Sequence, residues 1–185
     1  MVSIIGFHGT SFENATKIAK GDFIISKGNT EWIGDGAYFF MEGISKAPKE
    51  QAEQWAIAQA WDKNVSKYRY NDISVIKSDI LVEEDNFLDL TTSEGVEVLL
   101  YILEQHEKKI LSIGKSLSYL DGLIVNFARG EGLLEVDVVK GNFYIKFANE
   151  RIFQINLRTA NCTICSVYDP KKNLRNNNII SNSKI

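Results

Sequence analysis

The chain has 185 residues, 44% of them hydrophobic and 24% charged, with 21 basic against 24 acidic side chains and a formal net charge of −3. That is enough chain for one domain with a real hydrophobic core, in the proportions of a soluble globular protein. It excludes the standing basic excess of a dedicated nucleic-acid binder, and no run approaches the roughly 20 apolar residues needed to cross a bilayer.

The opening MVSIIGFHGT lacks the basic start and small-residue cleavage site of a signal peptide. The reading is therefore of an intracellular, cytoplasmic protein with no membrane partner. In chain order, residues 3–8 (SIIGFH) form a short buried strand. Thr10-Ser11-Phe12-Glu13 then has the form of a capping box, followed by a helical face of Phe12, Ala15, Ile18 and Ala19 with Gly21 as its stop. A loop around residues 27–32 leads to a strand at Gly36-Ala37-Tyr38-Phe39-Phe40. A helix over about residues 48–61 follows, with Pro48 in its first turn and Ala52, Trp55, Ala56 and Gln59 on one stripe.

Residues 73–82 (ISVIKSDILV) predict a strand, residues 86–90 a short extended piece, and residues 96–110 a helix packing Leu99, Ile102, Leu103 and Ile110 inward. The last third reads as β-structure, with strands at 122–127, 143–147, 152–157 and 162–167. Lys140-Gly141-Asn142 predicts a hairpin turn between residues 136–139 and 143–147. Cys162 and Cys165 have C-x-x-C spacing, but on a strand residues three apart point to opposite faces. They read as structural thiols, and no metal is expected. The polar stretch KKNLRNNNIISNSKI predicts a flexible tail over 171–185 behind one domain over 1–170. Helices early and mid-chain with a mostly antiparallel sheet give an α+β domain.

Three patterns carry the chemistry: Phe7-His8-Gly9-Thr10 at the end of the first strand, Gly34-Asp35-Gly36-Ala37-Tyr38-Phe39-Phe40, and Asn149-Glu150-Arg151-Ile152-Phe153-Gln154. Each alone has a plain explanation: a satisfied histidine, a tight turn feeding a strand, a solvated glutamate. Together they suit cleavage of NAD⁺ at the nicotinamide ribose, where positive charge builds on the sugar as neutral nicotinamide leaves. That step needs an aromatic face for the ring (Tyr38), a polar side chain for ribose hydroxyls (His8), close backbone for the carboxamide (Gly9) and a carboxylate beside the developing cation (Glu150).

HGTSFENATKIAKGDF, WIGDGAYFF and NERIFQI, in that order, resemble the ADP-ribosyltransferase fold. Within it they look like the His–Tyr–Glu branch that includes diphtheria toxin and the poly(ADP-ribose) polymerases. The resemblance runs from about His8 to Arg158, with the middle third matching in outline. It implies a split antiparallel β-sheet core with flanking helices, and NAD as co-substrate. It also implies catalytic roles for His8, Tyr38 and Glu150, in a cofactor cleft built from His8, Gly9, Thr10, Gly36, Tyr38, Phe40 and Trp55. His8 would bond the adenine-side ribose, Gly9 the carboxamide, Tyr38 would stack on the ring and Glu150 would bond the ribose 2′-hydroxyl. Trp55, with Phe40 behind it, stands either as the second stacking aromatic or as core. Arg151 follows the glutamate where polymerases commonly carry an apolar residue, and serves either a phosphate or the solvated surface. No insertion suited to chain elongation is evident, so transfer of a single ADP-ribose unit is expected.

Compact transferases of this kind resemble bacterial toxins of toxin–antitoxin or phage-defence systems. The expected partners are a macromolecular acceptor, nucleic acid slightly ahead of protein, and an antitoxin. Lys63, Lys67 and Arg69, or Lys171, Lys172 and Arg175, supply either phosphate contacts or ordinary solubilising surface. Two alternatives remain: an NAD-dependent RNA 2′-phosphotransferase, and a non-catalytic NAD-binding module of the same fold.

Overall fold

The computed structural model describes residues 1–147 and 159–185. Glu150, Arg151 and the strand expected at 152–157 lie outside the described residues. The rest is a mixed α+β arrangement: a seven-stranded sheet with helices against it.

The first third follows its local signals. β1 (Val2–Ser11) runs into α1 (Phe12–Ala19). The cap is Ser11 rather than Thr10: its hydroxyl accepts from the Asn14 backbone N–H at 3.2 Å. Glu13 pairs instead with Lys17 one turn on. Gly21, at φ +96°, ends the helix in a conformation that only glycine adopts without strain. After a long loop come β2 (Ala37–Met41) and α2 (Pro48–Ala60), the latter started by its proline. β3 (Trp61–Asp62) and β4 (Lys67–Tyr68) form a small separate hairpin. β5 (Asp72–Val82), β6 (Phe87–Asp89) and α3 (Ser93–Gly114) complete the middle of the chain.

Four expectations fail in the last third, one being the strand at 143–147, of which only Phe143 is in a strand. Residues 122–127 form no strand. They belong to helix α4 (Asp121–Gly130), whose continuous apolar run is buried against α3 and the loop before β2, and such a run does not distinguish strand from helix by period. Lys140-Gly141-Asn142 is no hairpin turn but the middle of one strand, β7 (Val138–Phe143), paired along its length with β8 (Cys162–Val167). The tail is not loose either. After the short α5 (Pro170–Asn173), β9 (Leu174–Lys184) pairs with β5. Its Asn/Ser composition suits an edge strand: Ser74 donates to Asn182 Oδ1 at 2.6 Å and Ser78 to Asn177 Oδ1 at 2.7 Å. Asn176 sits at φ 53° near a register shift, a conformation asparagine tolerates well.

Sheet order is β6-β7-β8-β2-β1-β5-β9, antiparallel except between β6 and β7. Strand alternation sends side chains to two cores. On one face Phe40, Val139, Cys162 and Ile164 pack with residues of α2, α3 and α4; on the other Phe39, Met41, Cys165 and Val167 pack with Ile80 and Leu174. Cys162 and Cys165 thus lie in opposite cores, as strand geometry requires. Burial pushes the Cys165 thiol up to about 12. Among the described residues, no helix is long and apolar enough to cross a membrane.

Candidate active site

The site originates in a break in the sheet. β1 pairs with β5 along its whole length, from Val2↔Val82 to Ser11↔Ile73, and β2 pairs with β8 from Ala37↔Val167 to Met41↔Thr163. β1 and β2 share a single register position, Phe7↔Phe40. Beyond it, His8–Ser11 on one side and Ala37–Phe39 on the other leave backbone groups without a ladder partner. A cleft of about 620 Å³ occupies this place. Its lining includes His8, Gly9, Thr10, Gly36, Tyr38, Phe40 and Trp55, all of them expected from the sequence.

Those residues do not all arrive from one side. The register puts His8 opposite Phe39 and Gly9 opposite Tyr38, so His8 and Tyr38 project from opposite faces of the sheet. The His8 ring packs against Phe23 and Phe39 at centroid distances of 5.4 and 5.7 Å. It is tied to Tyr38 through the backbone, with Nδ1 donating to the Tyr38 carbonyl at 2.8 Å. Burial lowers the His8 pKa, the carbonyl contact opposing this in part, which favours the neutral ring. With Nδ1 carrying the proton, Nε2 is an acceptor.

Tyr38 offers a ring rather than a reactive hydroxyl. Its OH donates to the Gly34 carbonyl at 2.7 Å and accepts from the Ile33 N–H at 3.1 Å, and burial pushes its pKa up to about 12. Gly9 has a packing reason that the sequence did not reveal. A Cβ there would stand 1.7 Å from the Ala52 carbonyl oxygen, so the glycine lets α2 press against β1. Its backbone also lines the cleft, on the same strand edge as that of Phe7, the residue in register with β2.

The loop before β2 forms another wall and is latched to α4. Asn126 Nδ2 donates to Asp35 Oδ1 (2.8 Å) and to the Gly28 carbonyl (3.2 Å), while its Oδ1 accepts from the Asp35 N–H at 2.7 Å. Arg129 adds a bond to the Asp35 carbonyl at 3.2 Å and lies over the Tyr168 ring. This loop brings two residues that the sequence reading missed, Glu31 and Trp32. Trp32 meets Trp55 edge-on at 5.7 Å and stacks on Phe143 at 5.4 Å. Trp55 is half-buried and also contacts Phe40: it packs against the core and lines the cleft.

Of the basic groups, Arg69 lines the cleft, while Lys63 and Lys67 stand exposed on the adjoining hairpin. The other group is used within the fold. Lys172 pairs with Asp137 at 2.6 Å, and Arg175 bonds the carbonyls of Lys172 and Leu174. Glu150 and Arg151 lie outside the described residues, but the chain on both sides of them is anchored. Ile145 lines the cleft, and Asn161 bonds both its N–H and its carbonyl, at 2.8 and 2.9 Å.

No protein-family model matches the chain. It is 28% identical over 125 residues to a protein of Methanocaldococcus jannaschii described as "Uncharacterized protein MJ0359". The match covers 65% of this chain and 54% of that relative, so the chain spans about half of the relative's length.

Proposed function

We propose that this protein cleaves NAD⁺ and transfers a single ADP-ribose unit to a macromolecular acceptor, on an ADP-ribosyltransferase-like split sheet. The observation that carries this reading is the gap between β1 and β2. It gathers unladdered backbone, a histidine whose Nε2 is an acceptor and a tyrosine ring fixed by its own hydroxyl around one cleft. Those are the parts needed to bond a carboxamide, accept from a ribose hydroxyl and stack a nicotinamide ring. Arg69 supplies a guanidinium for the pyrophosphate.

In the reaction the bond from the ribose C1′ to the nicotinamide nitrogen breaks, and its electron pair stays with the ring, which leaves neutral. The acceptor's nucleophile bonds C1′ and its proton is released to solvent. Glu150 is the residue we assign to the ribose 2′-hydroxyl and the oxocarbenium-like charge. In support of that, Ile145, five residues before Glu150 in the chain, lines the cleft and is bonded through its N–H and its carbonyl to Asn161. The exposed Lys63 and Lys67 beside Arg69 favour a nucleic-acid acceptor over a protein, and an intracellular toxin or anti-phage effector is the setting we infer.

The test is labelled NAD⁺ incubated with the protein and a bacterial lysate, with and without ribonuclease, deoxyribonuclease or protease. Label should enter macromolecules and be lost on nuclease treatment, and Glu150→Gln should slow turnover by about 10²–10³-fold while NAD⁺ still binds. Absence of both incorporation and nicotinamide release would overturn the transferase reading.

A further inference from the structure

The proposed reaction leaves Glu31 and the tryptophan beside it without a role. Among the described residues lining the cleft, Glu31 is the one carboxylate. It is half-exposed at the cleft rim, with a hydrogen bond on its side chain and a packed backbone. Ser26 donates to its Oε1 at 3.0 Å, and its backbone carbonyl lies 1.7 Å from where a Cβ on Gly122 would be, so the first turn of α4 seats directly on it. Its charge also reaches the Tyr38 hydroxyl. Next to it, Trp32 and Trp55 set their rings at 69° to one another, with the Tyr38 ring lining the same cleft.

Aromatic faces meeting at a steep angle in one cleft with a carboxylate are the chemistry that recognises an organic cation: ring quadrupoles and the negative charge both favour a positive guest over a neutral one of the same shape. Oxidised nicotinamide in NAD⁺ is a pyridinium cation, whereas the released nicotinamide and the reduced cofactor are neutral. We propose that Glu31, with Trp32 and Trp55, forms a charge-selecting wall that admits the pyridinium form and loses its hold on the ring once the glycosidic bond breaks. The inference rests on the cleft being a nicotinamide site, as proposed above.

Two small probes separate charge from shape. 1-Methylnicotinamide and nicotinamide share the ring and carboxamide and differ by one positive charge. Binding is read from tryptophan fluorescence of the whole 185-residue chain, with a Trp61→Phe substitution so that Trp32 and Trp55 report, and checked by calorimetry. Wild type should bind the cation about 10-fold more tightly, from the aromatic faces and the Glu31 charge together. Glu31→Gln keeps an acceptor for Ser26 and should reduce that preference to about 2–3-fold, leaving nicotinamide affinity unchanged. Trp32→Leu, read by calorimetry, should weaken the cation more than the neutral ring. Equal affinity for the two probes in wild type, or a full preference surviving in a folded Glu31→Gln, overturns the charge-selecting wall and leaves the transferase reading standing. If neither probe binds wild type, the nicotinamide cleft itself is overturned and the inference falls with it.

Discussion

The sheet has two wings of different character. In one, β1, β5 and β9 are laddered nearly end to end, and their side chains serve packing or pair serine with asparagine across strands. In the other, β2 and β8 are equally well paired, but the loop feeding β2 is held by side chains, Asn126 and Arg129 of α4 and Ser166 of β8, rather than by a strand ladder. The wings meet at one register position, Phe7↔Phe40, and the cleft lies where that seam gives way. Strand edges without partners are usually covered or paired, because their N–H and C=O groups attract further pairing. Here an open internal edge is flanked by a histidine, glycines and aromatics. A gap within a sheet supplies backbone donors and acceptors that no intact ladder can offer, and the fully paired strands on either side keep it from collapsing.

The largest expected effect tests whether the first wing needs its last strand. A chain ending at Asn173 loses β9, exposes the edge of β5 and removes buried Leu174. With total stabilities of about 5–15 kcal/mol for a domain, this loss should abolish cooperative unfolding and leave soluble aggregates on gel filtration. A truncated chain with an unchanged melting transition would show that the wing holds on β1 and β5 alone.

A smaller effect is expected at the seam itself. Gly9→Ala would drive a methyl group into the Ala52 carbonyl, and since backbone must move, α2 must shift away from β1. We expect a loss of about 2–3 kcal/mol in urea unfolding, accompanied by weaker NAD⁺ binding because Trp55 rides on α2. Loss of stability with NAD⁺ affinity intact would mean that the helix can retreat without disturbing the cleft.

What the sequence disclosed divides along similar lines. Elements with local signals were legible: α1 and its Gly21 stop, α2 with Pro48 at its first turn, the opposed cysteines of β8. The fold class follows from those elements, the lining residues His8, Gly9 and Tyr38 stand in the motifs, and Trp55 was expected from the resemblance alone. Illegible features depend on distant partners. The run at 122–127 is helical because its faces are buried by α3 and by a loop some 90 residues earlier in the chain. Lys140-Gly141-Asn142 has turn chemistry, but β8 pairs with every residue of it. The tail reads as coil until Ser74 and Ser78 are seen opposite its asparagines. Glu31 belongs to no motif and Trp32 only opens WIGDGAYFF, with no role assigned to it there; Asn126 and Arg129 latch the loop that carries the pair.

The smallest effect concerns the imidazole that bridges the seam. Burial lowers the His8 pKa below its ordinary 6.5, so the unfolded chain takes up a proton that the folded one resists. Its contribution to stability is therefore complete above pH 6.5 and is lost as pH falls through the folded value, with a slope of at most about 1.4 kcal/mol per pH unit for one proton. His8→Asn places an amide nitrogen near the position of Nδ1, able to keep the bond to the Tyr38 carbonyl, and cannot titrate. Urea unfolding between pH 7 and 5 should give a falling stability for wild type and a flatter line for the variant. NAD⁺ affinity should fall over the same range in wild type alone, since a proton on Nε2 removes the acceptor that a ribose hydroxyl would use. Parallel stability curves for the two proteins would mean that the seam opens enough to hydrate the ring. In that case the neutral, acceptor-presenting His8 would not be what joins the two wings.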